Sequence, residues 1–258
     1  MPEIVVLKLD HYLLKLVNVN ATPLFKEFVA VRNDCCVQVD CEVDLILSNT
    51  SSGIELTWNK ENRKSLSFHI DIHKVIKQLR TFPAPKQGAF NQALGKKTRS
   101  IIDATGGWGG DTLLMCTQGY QVTIIERNPI MALLLADAMW RLSRTDWANV
   151  NGVFIPKVVN QNAIDYFKAS DNVNIDCVYL DPMFPPKKKK SAAVNKQMKL
   201  LQWLVGADHD ASQLLESVAT CGVKRAAVKR PSYAEPLYRK PSTQFSSKLV
   251  HYDVYLFN

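Results

Sequence analysis

The run from Ser100 to Glu126 limits the possible folds of this chain more than any other stretch. Ser100-Ile101-Ile102-Asp103 reads as a short buried strand, and Ala104-Thr105-Gly106-Gly107-Trp108-Gly109-Gly110-Asp111 follows it directly. Residues 112–118 then carry helical spacing up to Gly119, residues 120–125 read as a second strand, and Glu126 stands at its end. Glycines between a strand and a helix let the backbone come close to a ligand, and the helix N-terminus offers N–H groups with no partner inside the helix. This is the opening of an open α/β sheet, which binds ligands at the carboxyl edge of its strands.

Glu126 lies 23 residues after Asp103, close to the spacing of an acid that accepts hydrogen bonds from ribose hydroxyls. The unit therefore points to an adenosine-containing cofactor. Gly106-Gly107-Trp108-Gly109-Gly110 does not fit the G-x-G-x-x-G turn of a dinucleotide site. Asp103 stands where that turn needs its first glycine, and a carboxylate there would repel a pyrophosphate but suit a cationic methionyl end. The expected cofactor is S-adenosylmethionine (SAM), cradled by Asp103, Thr105, Gly107 and Gly109.

A second stretch carries the chemistry. In Val178-Tyr179-Leu180-Asp181-Pro182-Met183-Phe184-Pro185 an apolar strand ends in an acid and is stopped by a proline. Pro182 removes a backbone donor, so its carbonyl and the Asp181 carboxylate can both serve as acceptors. Phe184 is spaced to stack on a flat ring. Two acceptors beside an aromatic face suit the exocyclic amine of a nucleobase. The expected catalytic residues are Asp181, Pro182 and Phe184.

Between these stretches, residues 130–142 read as a long apolar helix and residues 153–159 as a third strand. Asn162-Ala163 follows at that strand's exit, where Asn162 either reads the adenine edge or caps the next helix. Lys187, Lys188, Lys189 and Lys190 form a run that is either a solvated face or a set of RNA phosphate contacts. Lys229 and Arg230 end a fifth strand at residues 224–231 and are expected to flank the same cleft edge, as substrate contacts. Asp208-His209-Asp210 reads as the cap of a helix at 211–219. Segments 245–248 and 250–257 look like the terminal hairpin that closes such a sheet.

Ahead of the glycine loop, residues 4–9, 37–47, 54–58 and 65–70 read as strands, with a turn cluster at 48–53 and a helix at 72–79. The expected division is a small, mostly β region at 1–70, connector helices at 71–98 and the main α/β domain at 99–258. The 258 residues are 47% hydrophobic, enough for a sizeable core, and the net charge of +8 favours a polyanionic partner. Cys35, Cys36 and Cys41 lack a nearby histidine and the six cysteines contain no Cys-x-x-Cys pair, so no metal is expected. The N-terminal apolar run is broken by charges, no run approaches membrane-spanning length, and a cytoplasmic location is expected.

Taken in order, 103–111, Glu126-Arg127-Asn128-Pro129, 178–185, 190–192, Leu204-Val205-Gly206 with Asp208, and Val228-Lys229-Arg230-Pro231 resemble the ribosomal RNA small subunit methyltransferase J family. The resemblance spans about residues 54–258. It implies a Rossmann-like class I SAM-dependent methyltransferase sheet and methylation of the exocyclic N2 amine of a guanosine in 16S rRNA of the small ribosomal subunit. It also implies cofactor contacts at Gly110, Asp111, Glu126, Arg127, Asn162, Ala163 and Asp181. The family's basic glycine-rich segment appears here as Pro83-Ala84-Pro85-Lys86-Gln87-Gly88, and its paired serines as Asn162-Ala163. Two alternatives stand beside this reading: amino methylation of adenine or a protein glutamine, and a non-catalytic RNA-binding protein on the same scaffold.

Overall fold

The computed structural model describes residues 4–9, 12–17, 23–30, 44–59, 65–77, 79, 81–169, 174–184, 196–206 and 208–257. Along the chain, β1 (Ile4–Leu9), β2 (Tyr12–Val17), α1 (Pro23–Ala30), β3 (Leu45–Thr50), β4 (Gly53–Trp58) and β5 (Leu66–Phe68) come first, then α2 (Ile72–Lys77) and α3 (Gly88–Leu94). The central run is β6 (Ser100–Asp103), α4 (Gly110–Thr117), β7 (Gln121–Glu126), α5 (Pro129–Ser143), α6 (Asp146–Asn151), β8 (Lys157–Asn160), α7 (Ala163–Lys168) and β9 (Cys177–Leu180). The chain ends in α8 (Lys196–Val205), α9 (Ala211–Thr220), β10 (Arg225–Pro231), β11 (Thr243–Ser246) and β12 (Val250–Leu256).

Seven strands form the main sheet in the order β11-β12-β10-β9-β6-β7-β8. The five from β10 to β8 are parallel, while β12 runs antiparallel to both β10 and β11. The chain lays β7 on one side of β6 and later β9 on the other. Strand order reverses there, and the crevice at a reversal is where open α/β sheets take ligands. Period-two alternation divides the sheet's side chains between two cores. Ile101, Ile124, Tyr179 and Ala227 join one with α3, α4 and α5, while Ile102, Ile125, Val178 and Val228 join the other with α7 and α9.

The first five strands form a separate sheet in the order β1-β2-β3-β4-β5. Leu14, Leu45, Leu47, Ile54, Leu56 and Phe68 bury one face of it into the same core as α5. The join is also polar. Asp137 Oδ2 on α5 accepts the Ile54 N–H at 3.1 Å and the Arg141 Nε–H at 2.8 Å, and Arg141 Nη2 donates to the Ile70 carbonyl at 2.9 Å. Trp58 meets Trp203 on α8 at 5.6 Å, and Phe68 meets Trp108 of the glycine loop at 6.0 Å. The small sheet thus buttresses the elements that line the cleft.

Several expected elements differ. β2 and α1 lie between residues 10 and 36, where no element was expected, and α6 was not expected either. β3 runs on through Thr50, so only Ser51 and Ser52 of the expected turn cluster make the turn. β8 begins at Lys157 rather than 153, because Pro156 cannot donate to a sheet ladder. Residues 37–43, with Cys35, Cys36 and Cys41, lie outside the described residues.

Candidate active site

The glycine loop folds as it does because two of its glycines, Gly106 and Gly109, have no room for a side chain. A Cβ on Gly106 would stand 2.6 Å from Ile124 Cγ2 and 3.0 Å from Leu135 Cδ1, whereas a Cβ on Gly110 would meet nothing within 4 Å. Gly106 lets the loop settle onto β7 and α5, and Gly110 opens α4 toward free space. Asp103 is 2% exposed beneath this loop, accepting the Thr105 N–H at 3.2 Å and the Thr112 hydroxyl at 2.5 Å. Burial pushes its pKa up to about 7, against the pull of these two donors.

Glu126 ends β7 and lies on the cleft wall, but both its oxygens already hold backbone. Oε2 accepts the Gly107 N–H at 2.9 Å and Oε1 the Asn128 N–H at 2.7 Å, which ties the glycine loop to the neighbouring strand exit. Burial raises its pKa, and these amides together with Arg127 oppose the rise. A carboxylate oxygen has a second lone pair, so ribose hydroxyls can still be accepted. Arg127 is committed elsewhere: Nη1 meets Asp210 at 2.8 Å and Nη2 meets Asp208 in a very short ion pair. The expectation that Asp210 caps α9 is therefore corrected. It occupies the cap position without a side-chain cap bond and pairs with Arg127 instead. Asn162 caps α7, accepting the Ile164 N–H at 2.8 Å, and its amide nitrogen remains a donor for a base edge. Ala163 is buried behind it.

The Asp181-Pro182-Met183 turn is pinned on both sides of its proline. Asp181 N–H donates to the Thr105 hydroxyl at 2.7 Å and Met183 N–H to Asp208 Oδ2 at 2.6 Å. Thr105, expected at the cofactor, thus holds the strand exit as well. The Asp181 side chain is 40% exposed to the cleft, yet enough hydration is lost there to raise its pKa. Asp111 and Asp208 add to the rise and the Lys229 ammonium opposes it.

Lys229 and Arg230, expected as substrate contacts, flank this edge with their charged groups held by neighbouring acids. Lys229 Nζ lies 2.8 Å from both Asp181 Oδ2 and Asp111 Oδ2. Arg230 is 2% exposed, paired with Asp253 at 3.4 Å, with its guanidinium carbon 5.2 Å from the centre of the Phe184 ring. It backs the aromatic instead of reaching solvent. Lys187, Lys188, Lys189 and Lys190 lie outside the described residues.

Two cavities meet at Thr105, Gly107, Asp181, Pro182, Met183 and Leu201. One is walled by Ile125, Glu126, Asn162, Ile164 and Leu214, an apolar slot with polar ends that suits an adenosine. The other, about 390 Å³, is walled by Asp103, Trp108, Asp111, Phe184, Lys229 and Tyr233. Asp103, Asp111 and Asp181 lie there with the Lys229 ammonium, and Arg230, which also lines this cavity, is paired with Asp253, so the inner end is acidic and fits the ammonium and sulfonium of SAM. Sequence reasoning missed Tyr179, Thr112 and the clamp of Asp208 on Met183. Their partners lie far away in the chain, so no local pattern announces them.

A parallel sheet with a reversed edge hairpin, an acid-ended adenosine slot and an Asp-Pro-x-Phe exit define a SAM-dependent methyltransferase. A family described as "Putative SAM-dependent methyltransferase" matches residues 31–257, further toward the N-terminus than the motifs alone reach. A ribosomal RNA small subunit methyltransferase J from Legionella pneumophila (strain Lens) is 34% identical over 85% of this chain and 87% of its own. One from Thioalkalivibrio sulfidiphilus is 42% identical over 61% of this chain, a match spanning 62% of that relative. The crystal structure of a SAM-dependent methyltransferase from Neisseria gonorrhoeae shares the fold, with a TM-score of 0.65 at 23% identity over 94% of this chain and 95% of its own. This chain belongs to the ribosomal RNA small subunit methyltransferase J family.

Proposed function

We propose that this protein methylates the exocyclic N2 amine of a guanosine in 16S rRNA of the small ribosomal subunit, and that it does so in the cytoplasm. The observation that carries the reading is the pinned Asp181-Pro182-Met183 turn at the junction of the two cavities. Family membership supplies the substrate class. When bound, SAM supplies a methyl group on a positively charged sulfur. The remaining work falls to the protein. A guanine amine is a poor nucleophile because its lone pair is delocalised into the ring. Hydrogen bonds from it to Asp181 and to the Pro182 carbonyl would localise that pair and fix its direction, and such positioning supplies much of the rate in transfers of this kind. Phe184, backed by Arg230, is the stacking surface for the base, and Asp181 takes the proton that the amine loses.

The test uses tritiated SAM with small-subunit particles and with deproteinised rRNA from a strain lacking this protein, followed by nucleoside analysis. Label in N2-methylguanosine is expected, and Asp181→Ala should abolish it while RNA binding stays nearly intact. Label in methyladenosine would overturn the base assignment. Equal loss of binding and transfer in Asp181→Ala would remove its assigned role.

A further inference from the structure

Lys229 is fixed between two acids at the edge where the target amine must enter. Its ammonium stands 2.8 Å from Asp181 Oδ2 and 2.8 Å from Asp111 Oδ2, and the Tyr179 hydroxyl donates to that same Asp111 oxygen at 2.6 Å. The backbone of β10 holds it in place, with Lys229 opposite Tyr252 in the ladder to β12. On Asp181 only Oδ2 is occupied, and Oδ1 accepts no side-chain or backbone hydrogen among the described residues. An ammonium already shared by two carboxylates is poorly placed to neutralise an RNA phosphate as well.

We propose that Lys229 is a positioning residue for methyl transfer, holding Asp181 by Oδ2 and keeping it ionised so that Oδ1 is presented to the target amine. The proposal rests on the reading of Asp181 as the amine's acceptor. The chemistry asks for such a device. As the exocyclic nitrogen gains its bond to the methyl carbon, the carbon–sulfur bond breaks with its electron pair left on sulfur, and one N–H bond of the amine breaks, leaving its pair on nitrogen and passing the proton to Oδ1. A carboxyl that arrives already protonated cannot take it.

The groups around Asp181 press it toward protonation. Asp111 on α4, Asp208 ahead of α9 and Asp103 on β6 are acids, and Tyr179 on β9 and Tyr252 on β12 bring neutral hydroxyls. Lys229 is the one cation among these six groups, and both carboxylates hold its own pKa above the usual lysine range. Without it, nothing in that set offsets the burial and the neighbouring acids. A charge at this range typically moves a carboxyl by about 1–3 pH units.

The decisive measurement is the single-turnover rate of methyl transfer against pH, on unmethylated small-subunit particles or rRNA, for Lys229→Met, Lys229→Arg and Asp111→Asn. The acid limb of Lys229→Met should move up by about one unit or more, so that its rate falls about tenfold on that limb and recovers as pH is raised. Lys229→Arg should keep the limb near that of the parent protein. Asp111→Asn should move it down, since it removes both a like charge and a competitor for the ammonium. If Lys229→Met does not fold, the shift in Asp111→Asn decides alone.

RNA affinity and its salt dependence should be unchanged in Lys229→Met. An unmoved limb in both variants, or loss of about one phosphate's worth of salt dependence in Lys229→Met, would overturn the proposal. Asp181→Asn, assayed alongside, separates the two readings. Activity retained there would sink the role of Asp181 itself. Inactivity there with unmoved limbs elsewhere would sink only the role of Lys229.

Discussion

Asp103 links stability to ligand binding at the scale of one residue. Its folded carboxyl holds a proton up to about pH 7, whereas in the unfolded chain it releases it near the ordinary value of 3.8. Across that window the folded state binds more protons, so stability falls as pH rises through it, and the ionised acid is a net cost above it. The same negative charge is what the acidic end of the larger cavity offers a cationic ligand. Asp103→Asn is therefore expected to melt higher than the parent protein at about pH 8, to flatten the decline in melting temperature between about pH 5 and 8, and to bind SAM more weakly. Thermal scans across pH and calorimetric titration of SAM check both halves. A variant that melts lower at the alkaline end, with an unchanged pH slope, would show that burial does not govern this acid. The carboxylate's place at a strand end was legible in the sequence. Its grip on Thr112 was not, because that bond depends on how α4 seats over β6.

At the scale of elements, the loop between β6 and α4 asks different things of its glycines. Gly106→Ala must push its new methyl into Ile124 and Leu135, and overpacking of this kind costs about 1–3 kcal/mol. Gly110→Ala meets open space at the first turn of α4 and should be neutral or stabilising by up to ~1 kcal/mol. Urea unfolding separates the two. If the space at Gly110 is where SAM approaches the backbone, Gly110→Ala will also lose SAM affinity without losing stability. Equal destabilisation by both substitutions would contradict the packing described. The strands that bear the site were readable, since β6 matches its expected span and β9 ends, as expected, at the residue before Asp181. Short apolar runs bounded by glycine, proline or an acid announce themselves. β2 and α6 did not, because each is only six residues long and draws part of its support from afar: β2 pairs with β3 as well as with β1, and Trp147 of α6 packs on Phe82. The pairing of Arg127 with Asp208 and Asp210 was hidden for the same reason: each side looked locally complete.

The whole molecule carries a net charge of +8, and the site itself consumes part of its positive charge internally. Lys229 lies between two acids, Arg230 is buried against Asp253 and Phe184, and Arg127 is forked onto Asp208 and Asp210. None of the three is left to grip a phosphate backbone. Substrate affinity must then draw on cations elsewhere, and Lys187, Lys188, Lys189 and Lys190 follow the Asp181 turn directly in the chain. Each phosphate neutralised on a single strand contributes about 0.7 to the slope of log affinity against log salt. Replacing all four lysines with alanine should therefore lower the magnitude of that slope by up to about 3 and weaken RNA binding at low salt. The single-turnover rate at saturating RNA should stay near that of the parent protein, because these residues bind and do not react. Filter binding over a salt series, paired with that rate, tests both statements. A slope that does not change would move the phosphate contacts to another basic surface. A rate that collapses at saturating RNA would mean that the lysines also orient the target base over Phe184.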